Sequence, residues 1–326
     1  MTIPTRNLSL QLVRVTEAAA LAAARQMGLN DKISADRAAV DAMRIVLKTV
    51  EMDGTIVIGE GEEDEAPMLY NGERLGIGKP PVLDIAVDPI EGTRLVAMGE
   101  SNAISVIALA PRSSMYNPGP ILYMDKLAVG PMAKGVIDIN APVKDNLEKV
   151  ARAKGKDMND LTVVILNRPR HEELINEVRR CGARIRLIMD GDVAGALMTS
   201  WLASRIDVLM GIGGTPEAVL AACALTCMDG EFQGKLVPRN DDEARRAKEQ
   251  GYDLTKVLTL DDLVTSKDVY FAATGITDGE LLRGVTYTKD EAETESLVMD
   301  GLTRTVRRII TTHRLDQLSH LAELLK

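Results

Sequence analysis

Val82-Leu-Asp-Ile-Ala-Val-Asp-Pro-Ile-Glu-Gly-Thr93 changes character part-way along, and the change governs how the rest of the chain is read. Leu83, Ile85 and Val87 alternate with Asp84, Ala86 and Asp88, the period of two that a strand with unlike faces requires. Pro89 has no N–H to give to a ladder, so the strand is expected to stop there. Asp88 and Glu91 then stand three apart on a turn, able to point at one ion. Gly92 lets the backbone come close to a ligand, and Thr93 offers a hydroxyl where a helix could begin. Alone, this is also the pattern of an ordinary Asp/Pro/Gly turn with a helix cap; its neighbours decide between the two.

Upstream, Leu8, Leu12, Val15 and Ala19 recur at helical spacing over residues 8–27. A second helix is expected over 34–50, with Ser34 as N-cap and Val40, Met43, Val46, Leu47 and Val50 as its apolar stripe. Thr55-Ile-Val-Ile58 is a β-branched run closed by Gly59, and further strand-like runs lie at 103–109, 127–130 and 135–139. Helices followed by strands make an α+β order. From about 157 the rhythm becomes strand, turn, helix: strands at 161–166, 184–189 and 206–210, each followed by a helical pattern, and a fourth strand at 269–273. That alternation predicts a largely parallel sheet in the C-terminal part. Pro142 and the polar stretch 144–160 separate the two rhythms, which suggests domains of 1–150 and 151–326. Asn240–Gln250 is charged and reads as a loop or surface helix, and 301–326 reads as a helix with Leu315, Leu318, Leu321 and Leu325 on one face.

The 326 residues are 45% hydrophobic and 27% charged, ordinary globular values that exclude disordered and collagen-like classes. A net charge of −9 argues against nucleic acid, which is bound mainly through excess Lys and Arg. With one Trp, six Tyr and two Phe there are few stacking platforms for single strands. Three cysteines, Cys181, Cys223 and Cys227, give neither a disulfide framework nor a zinc ribbon, and the last two read as small buried side chains of one helix. No signal-like start and no run of about 18 apolar residues is present, so no membrane association and a reducing, cytoplasmic location are expected.

Charged, Gly- or Pro-bent turns follow five of the expected strands: Gly59-Glu-Gly-Glu62, Asp88–Thr93, Arg168-Pro-Arg170, Asp190-Gly-Asp192 and Gly213-Gly-Thr-Pro-Glu217. Ligands of open α/β sheets bind beyond the carboxyl ends of strands, so these five read as one site drawn from both halves. Of the five acids in Glu60–Glu65, Glu60 alone, directly off a strand end between two glycines, reads as a ligand. Scattered single carboxylates suit magnesium-type ions, which keep waters and take one or two carboxylates with substrate phosphate. Zinc would want His or Cys, and His171, His313 and His320 have no ligand spacing; His171 reads as a surface residue at a helix start. Arg168 and Arg170, flanking Pro169, could fork around a phosphate. Asp190 and Asp192 could meet sugar hydroxyls or cap the next helix. Asp36, in the first turn behind Ser34, reads on chemistry alone as an acid favoured by the helix dipole. No P-loop or nucleophile elbow is present, and Gly211-Ile-Gly-Gly-Thr-Pro216 makes only a weak dinucleotide fingerprint.

Taken together, Val57-Ile-Gly-Glu-Gly-Glu62, Ile85–Arg94, Tyr123-Met-Asp-Lys-Leu127, Arg168-Pro-Arg-His171, Asp190-Gly-Asp192 and Gly213–Glu217 resemble the class II fructose-1,6-bisphosphatases of bacteria, within the lithium-sensitive, metal-dependent sugar phosphatases. The match runs in order over essentially the whole chain. The resemblance implies a layered αβαβα sandwich of α+β class, with a mixed-sheet N-terminal half and an α/β C-terminal half. It implies hydrolysis of the 1-phosphate of fructose 1,6-bisphosphate, as in gluconeogenesis, with Mn²⁺ or Mg²⁺. Metal ligands then fall on Asp36, Glu60, Asp88, Glu91 and Glu217, which replaces the dipole reading of Asp36. Substrate contacts fall on Glu91, Gly92, Thr93, Tyr123, Arg168, Pro169, Arg170, Asp190, Gly191, Asp192 and Gly214. Catalysis would rest on Glu60, Asp88 and Thr93, the hydroxyl orienting or deprotonating a metal-activated water with no covalent intermediate. Two positions depart mildly from the family pattern: Thr215 stands where Ala is frequent and Arg168 where Lys is frequent. Members are commonly oligomeric, so a homo-oligomer is expected. A bifunctional fructose-1,6-/sedoheptulose-1,7-bisphosphatase, an inositol-phosphatase-like monophosphatase and a non-catalytic sugar-phosphate sensor are the competing readings.

Overall fold

A computed structural model of the chain describes residues 8–60 and 69–318, which fall into two compact units. One unit takes the chain up to Ser114 and resumes at Asp268; the other is the continuous stretch Met115–Lys267. The boundary expected between 150 and 151 therefore falls inside the second unit, because the chain leaves the first sheet early and returns to it late.

The first unit opens with helices α1 (Leu8–Ala24) and α2 (Lys32–Leu47). Asp31, not Ser34, caps α2: its carboxylate accepts from the Ser34 N–H at 3.0 Å and the Ser34 hydroxyl at 2.6 Å. Strands β1 (Asp53–Ile58), β2 (Arg74–Leu75) and β3 (Val82–Glu91) follow, then helix α3 (Thr93–Met98) and strand β4 (Ile104–Pro111). Pro89 does not end β3. The ladder to β4 pairs Asp88 with Val106 and Glu91 with Ile104, so two residues of β3 face one of β4. This bulge absorbs the proline's missing N–H and carries the strand on to Glu91.

The second unit contains β5 (Tyr123–Val129), α4 (Val143–Lys154), β6 (Thr162–Leu166), α5 (Glu172–Arg180), β7 (Arg184–Ile188), α6 (Asp192–Ser200), β8 (Val208–Gly214), α7 (Thr215–Cys227), β9 (Glu231–Val237), α8 (Asp241–Glu249), β10 (Leu258–Thr259) and α9 (Leu260–Leu263). The strand expected over 135–139 is absent: Gly135 is left-handed, and Asn146 holds the segment as a turn by accepting the Asp138 N–H and donating to its carbonyl. The sheet runs β10-β9-β5-β8-β6-β7. Only β6 with β7 and β6 with β8 are parallel; β5 is antiparallel to both β8 and β9, so the sheet is mixed and not largely parallel. The hydrophobic cluster on one face includes Leu127, Val150, Val163, Val178 and Val208. Cys223 and Cys227 are buried in α7, as expected.

The chain then completes the first sheet with β11 (Tyr270–Gly275), β12 (Thr286–Tyr287), β13 (Glu291–Asp300) and β14 (Thr305–Arg314). The order is β12-β13-β11-β4-β3-β1-β2, with β14 against the other edge of β13. Tyr270–Gly275 is thus a central antiparallel strand of this sheet and not a fourth strand of the C-terminal set. Helix α1 packs on β11, β13 and β4, and α2 packs on α1 and β3. The tail is also corrected. Val306, Ile309, Ile310, Thr311 and Thr312 are β-branched, and they form a ten-residue strand paired along its length with β13. Leu315 and Leu318 lie at a 3-10 turn and just beyond it, while Leu321 and Leu325 lie outside the described residues. The α+β class is borne out, with two mixed sheets and nine α-helices among the described residues.

Candidate functional site

In the first unit the candidate residues gather where β1 and β3 end and α3 begins. The β3 bulge turns Asp88 and Glu91 into the same stretch; Asp88 accepts the Ile90 N–H at 3.0 Å, and Glu91 is buried at 4% exposure. Gly92 takes a left-handed φ of 97° as N-cap of α3, a conformation that favours glycine. This places the Thr93 hydroxyl 2.9 Å from Asp36 Oδ1, where it donates a hydrogen bond across from α3 to α2. Asp36 is therefore neither a cap nor a first-turn acid; it lies in the second turn of α2. Burial pushes its pKa up, against the hydrogen bond from Thr93 and the charge of Lys32. Glu60 follows the end of β1, its N–H bonded to Leu69 O at 2.8 Å. Glu62, Glu63, Asp64 and Glu65 lie outside the described residues.

In the second unit the candidates gather at the carboxyl ends of β6, β7 and β8. Arg168 forms an ion pair with Asp190, joining the turns after β6 and β7. Arg170 donates to Ile212 O through Nε at 3.2 Å and Nη2 at 2.7 Å, and its guanidinium lies 5.1 Å over the Tyr123 ring. The two arginines flanking Pro169 are thus held by different partners. Gly191 is left-handed at φ 89°, and Asp192 opens α6.

Two residues outside the predicted set hold this arrangement. Lys126, 3% exposed in the middle of β5, donates to Asp192 Oδ2 at 2.6 Å. A lone lysine inside Tyr123-Met-Asp-Lys-Leu-Ala-Val129 was the available signal, since a cation in an apolar strand needs a partner. His171 is not on the surface: it is 2% exposed, with both ring nitrogens engaged.

Glu217 stands in the first turn of α7, after Gly213 and Gly214. A Cβ on Gly214 would lie 1.8 Å from Glu217 Oε2, and one on Gly213 would lie 1.8 Å from Asp192 Oδ2. The two glycines thus leave room for two carboxylates beside the strand. Glu217 Oε2 is shut off from solvent and has no hydrogen-bond partner. Burial pushes the Glu217 pKa up, opposed by Lys126 and reinforced by Asp192. A buried, unpartnered carboxylate oxygen is costly unless a charge arrives to meet it, which fits a divalent cation. Among the described residues no three His, Cys, Asp or Glu side chains converge into a ready-made cage. Magnesium-type ions take one or two carboxylates with water and phosphate, so single acids on separate elements suffice as donors. The Thr215 hydroxyl is also buried and has no hydrogen-bond partner.

Comparison with known proteins bears on the chain as a whole. The model of the family described as bacterial fructose-1,6-bisphosphatase, glpX-encoded, matches residues 6–313. The chain is 49% identical over 325 residues, covering 96% of both sequences, to the fructose-1,6-bisphosphatase 1 class 2 of Escherichia coli strain K12. The class 2 fructose-1,6-bisphosphatases of Escherichia coli O6:H1 and of Shigella flexneri match at the same 49% and 96%. A family match of this extent, with relatives of this identity along the full length, shows that the chain belongs to the bacterial, glpX-encoded fructose-1,6-bisphosphatase family.

Proposed function

We propose that this chain hydrolyses the 1-phosphate of fructose 1,6-bisphosphate, giving fructose 6-phosphate and inorganic phosphate. The observation that carries the reading is the full-length likeness to class 2 fructose-1,6-bisphosphatases, joined to a carboxylate at every expected ligand position. The family is one of metal-dependent phosphatases. Asp36, Glu60, Asp88, Glu91 and Glu217 would hold Mn²⁺ or Mg²⁺, which when bound polarises phosphoryl oxygens and lowers the pKa of a coordinated water.

The protein's own contribution starts with Thr93. Its hydroxyl proton points to Asp36 Oδ1 at 2.9 Å, with Ile90 O a longer second acceptor at 3.3 Å, so its oxygen lone pairs can accept from a water and orient it towards phosphorus. Asp36, by accepting from Thr93, holds that hydroxyl in place while the water gives up a proton. Water oxygen bonds to phosphorus, the bond from phosphorus to the C1 oxygen breaks, and the leaving oxygen takes a proton. Among the described residues none of the candidate side chains is an activated nucleophile, and no phospho-enzyme is expected. Arg168, Arg170 and Tyr123 would grip the second phosphate, with Asp190 and Asp192 towards the sugar. We place the reaction in the cytoplasm and in a homo-oligomer; no helix among the described residues is long and apolar enough to cross a membrane.

The test is phosphate release from fructose 1,6-bisphosphate with Mn²⁺, with Mg²⁺ and with excess chelator. Turnover that needs a metal is expected, and its absence with both ions would sink the reading. The bisphosphate preference has its own check. Replacing Arg168 and Arg170 together by Ala should raise KM for the bisphosphate by about 100-fold, from two charge-assisted contacts, and leave KM for a monophosphate nearly unchanged.

A further inference from the structure

His171 ends the 3-10 turn Pro169–His171, directly after the two arginines. Its Nδ1 lies 2.7 Å from Leu166 O, at the end of β6, and its Nε2 lies 2.7 Å from the Ile212 N of β8. Leu166 O can only accept and the Ile212 N–H can only donate. The ring is therefore assigned as the neutral tautomer with the proton on Nδ1.

The demand for such a ring comes from the sheet. β8 pairs with β6 only at Val208 and Leu209, so its later backbone groups on that side find no strand partner. The β6–α5 turn supplies side chains instead: His171 takes the Ile212 N–H, and Arg170 donates to the Ile212 carbonyl at 2.7 Å. Both polar groups of one strand residue are thus held by neighbouring side chains of the same turn. Gly211 makes the approach possible, since its φ is +117° and a Cβ there would lie 2.9 Å from Nε2.

We infer that His171 is a positioning residue for the phosphate-gripping turn: by clamping Ile212 it fixes the register of Arg170 against β8 and over Tyr123, and so sets affinity for the phosphate that is not cleaved. The inference rests on the proposed bisphosphate reaction. Burial lowers the imidazole pKa; the charges facing it are Arg170 and Arg168 on its own turn, which oppose protonation, and Asp125 on β5, which favours it. A protonated ring would turn an N–H against the Ile212 N–H and release the clamp.

The experiment compares fructose 1,6-bisphosphate kinetics for the parent, His171→Phe, His171→Asn and His171→Gln at saturating metal and neutral pH. The Phe and Asn variants, which lack an acceptor in reach of Ile212, should raise KM by about tenfold with kcat within twofold. Gln, whose longer amide can accept that N–H, should return KM to within about threefold of the parent. Unchanged KM in Phe and Asn, or a loss confined to kcat, would overturn the clamp; if Phe fails to fold, the Asn and Gln pair decides. Should the parent itself not turn over the bisphosphate, the functional reading fails, and the clamp is judged from imidazole ¹⁵N resonances. A neutral ring protonated on Nδ1 at neutral pH supports it, and a ring protonated on Nε2 or charged overturns it.

Discussion

Lys126→Met should lower the stability of the folded protein by about 3–5 kcal/mol, the usual effect of removing one partner from a buried ion pair. Methionine keeps most of the lysine stem, so the loss would not come from an empty cavity. It would come from Asp192, whose Oδ2 accepts from Lys126 at 2.6 Å and which is itself 7% exposed. Glu217 would lose its opposing charge in the same step. Folding stabilities run to about 5–15 kcal/mol, so a change of this size is a large part of the whole. Urea unfolding followed by tryptophan fluorescence gives the readout, because the chain's single tryptophan, Trp201, caps the C-terminus of the helix that Asp192 opens. Adding Asp192→Asn to Lys126→Met should recover part of the loss, since the stranded charge is then gone. A shift below about 1 kcal/mol in the single variant would mean that water reaches this pair.

Glu217→Gln should lower activity sharply without lowering stability. Its buried Oε2 has no hydrogen-bond partner, and burial outweighs the opposing charge of Lys126, so the metal-free fold carries a costly carboxyl group. Glutamine has the same shape without the charge. Turnover of fructose 1,6-bisphosphate should fall by about 10³-fold or more, corresponding to about 4 kcal/mol of lost transition-state stabilisation. The melting temperature without metal should stay level or rise. Excess chelator should bring the parent down to the level of the variant. A variant that loses stability together with activity would show that Glu217 is a structural group and not a ligand.

What the sequence made legible follows physical range. Helix α1 announces itself through a period of 3.6, β3 through a period of 2, and β1 and β6 through short apolar runs; all four stand where these patterns put them, with β3 continuing to Glu91 past the stop expected at Pro89. The tail failed for a local reason: leucines spaced by three or four outweighed the β-branched run Val306–Thr312, which pairs with β13. The place of β5 in the second sheet, which makes that sheet mixed, was missed for a non-local one. Nothing in Tyr123–Val129 says that the strand will run antiparallel to one neighbour 79 to 91 residues ahead and another beyond it. In the candidate site, the turns after strands were readable because Gly, Pro and charge mark them. Asp36 entered the candidate set through family likeness alone, since its hydrogen bond to Thr93 spans 57 residues. Lys126 and His171 were passed over because each is a single residue whose partners lie on other elements, Asp192 on α6 for the first and Leu166 and Ile212 on β6 and β8 for the second.

The first sheet is sewn from both ends of the chain, and this sets an order on synthesis. β11 lies between β4 and β13, yet it leaves the ribosome about 160 residues after β4. Until then β4 presents an apolar edge with no neighbour, which is the template on which strands of other chains add. The intervening stretch Met115–Lys267 is continuous and can close its own sheet while the edge waits. The slow and vulnerable moment in the life of this protein thus comes early, before Tyr270 has been made, when half a sheet is held open for a strand that does not yet exist.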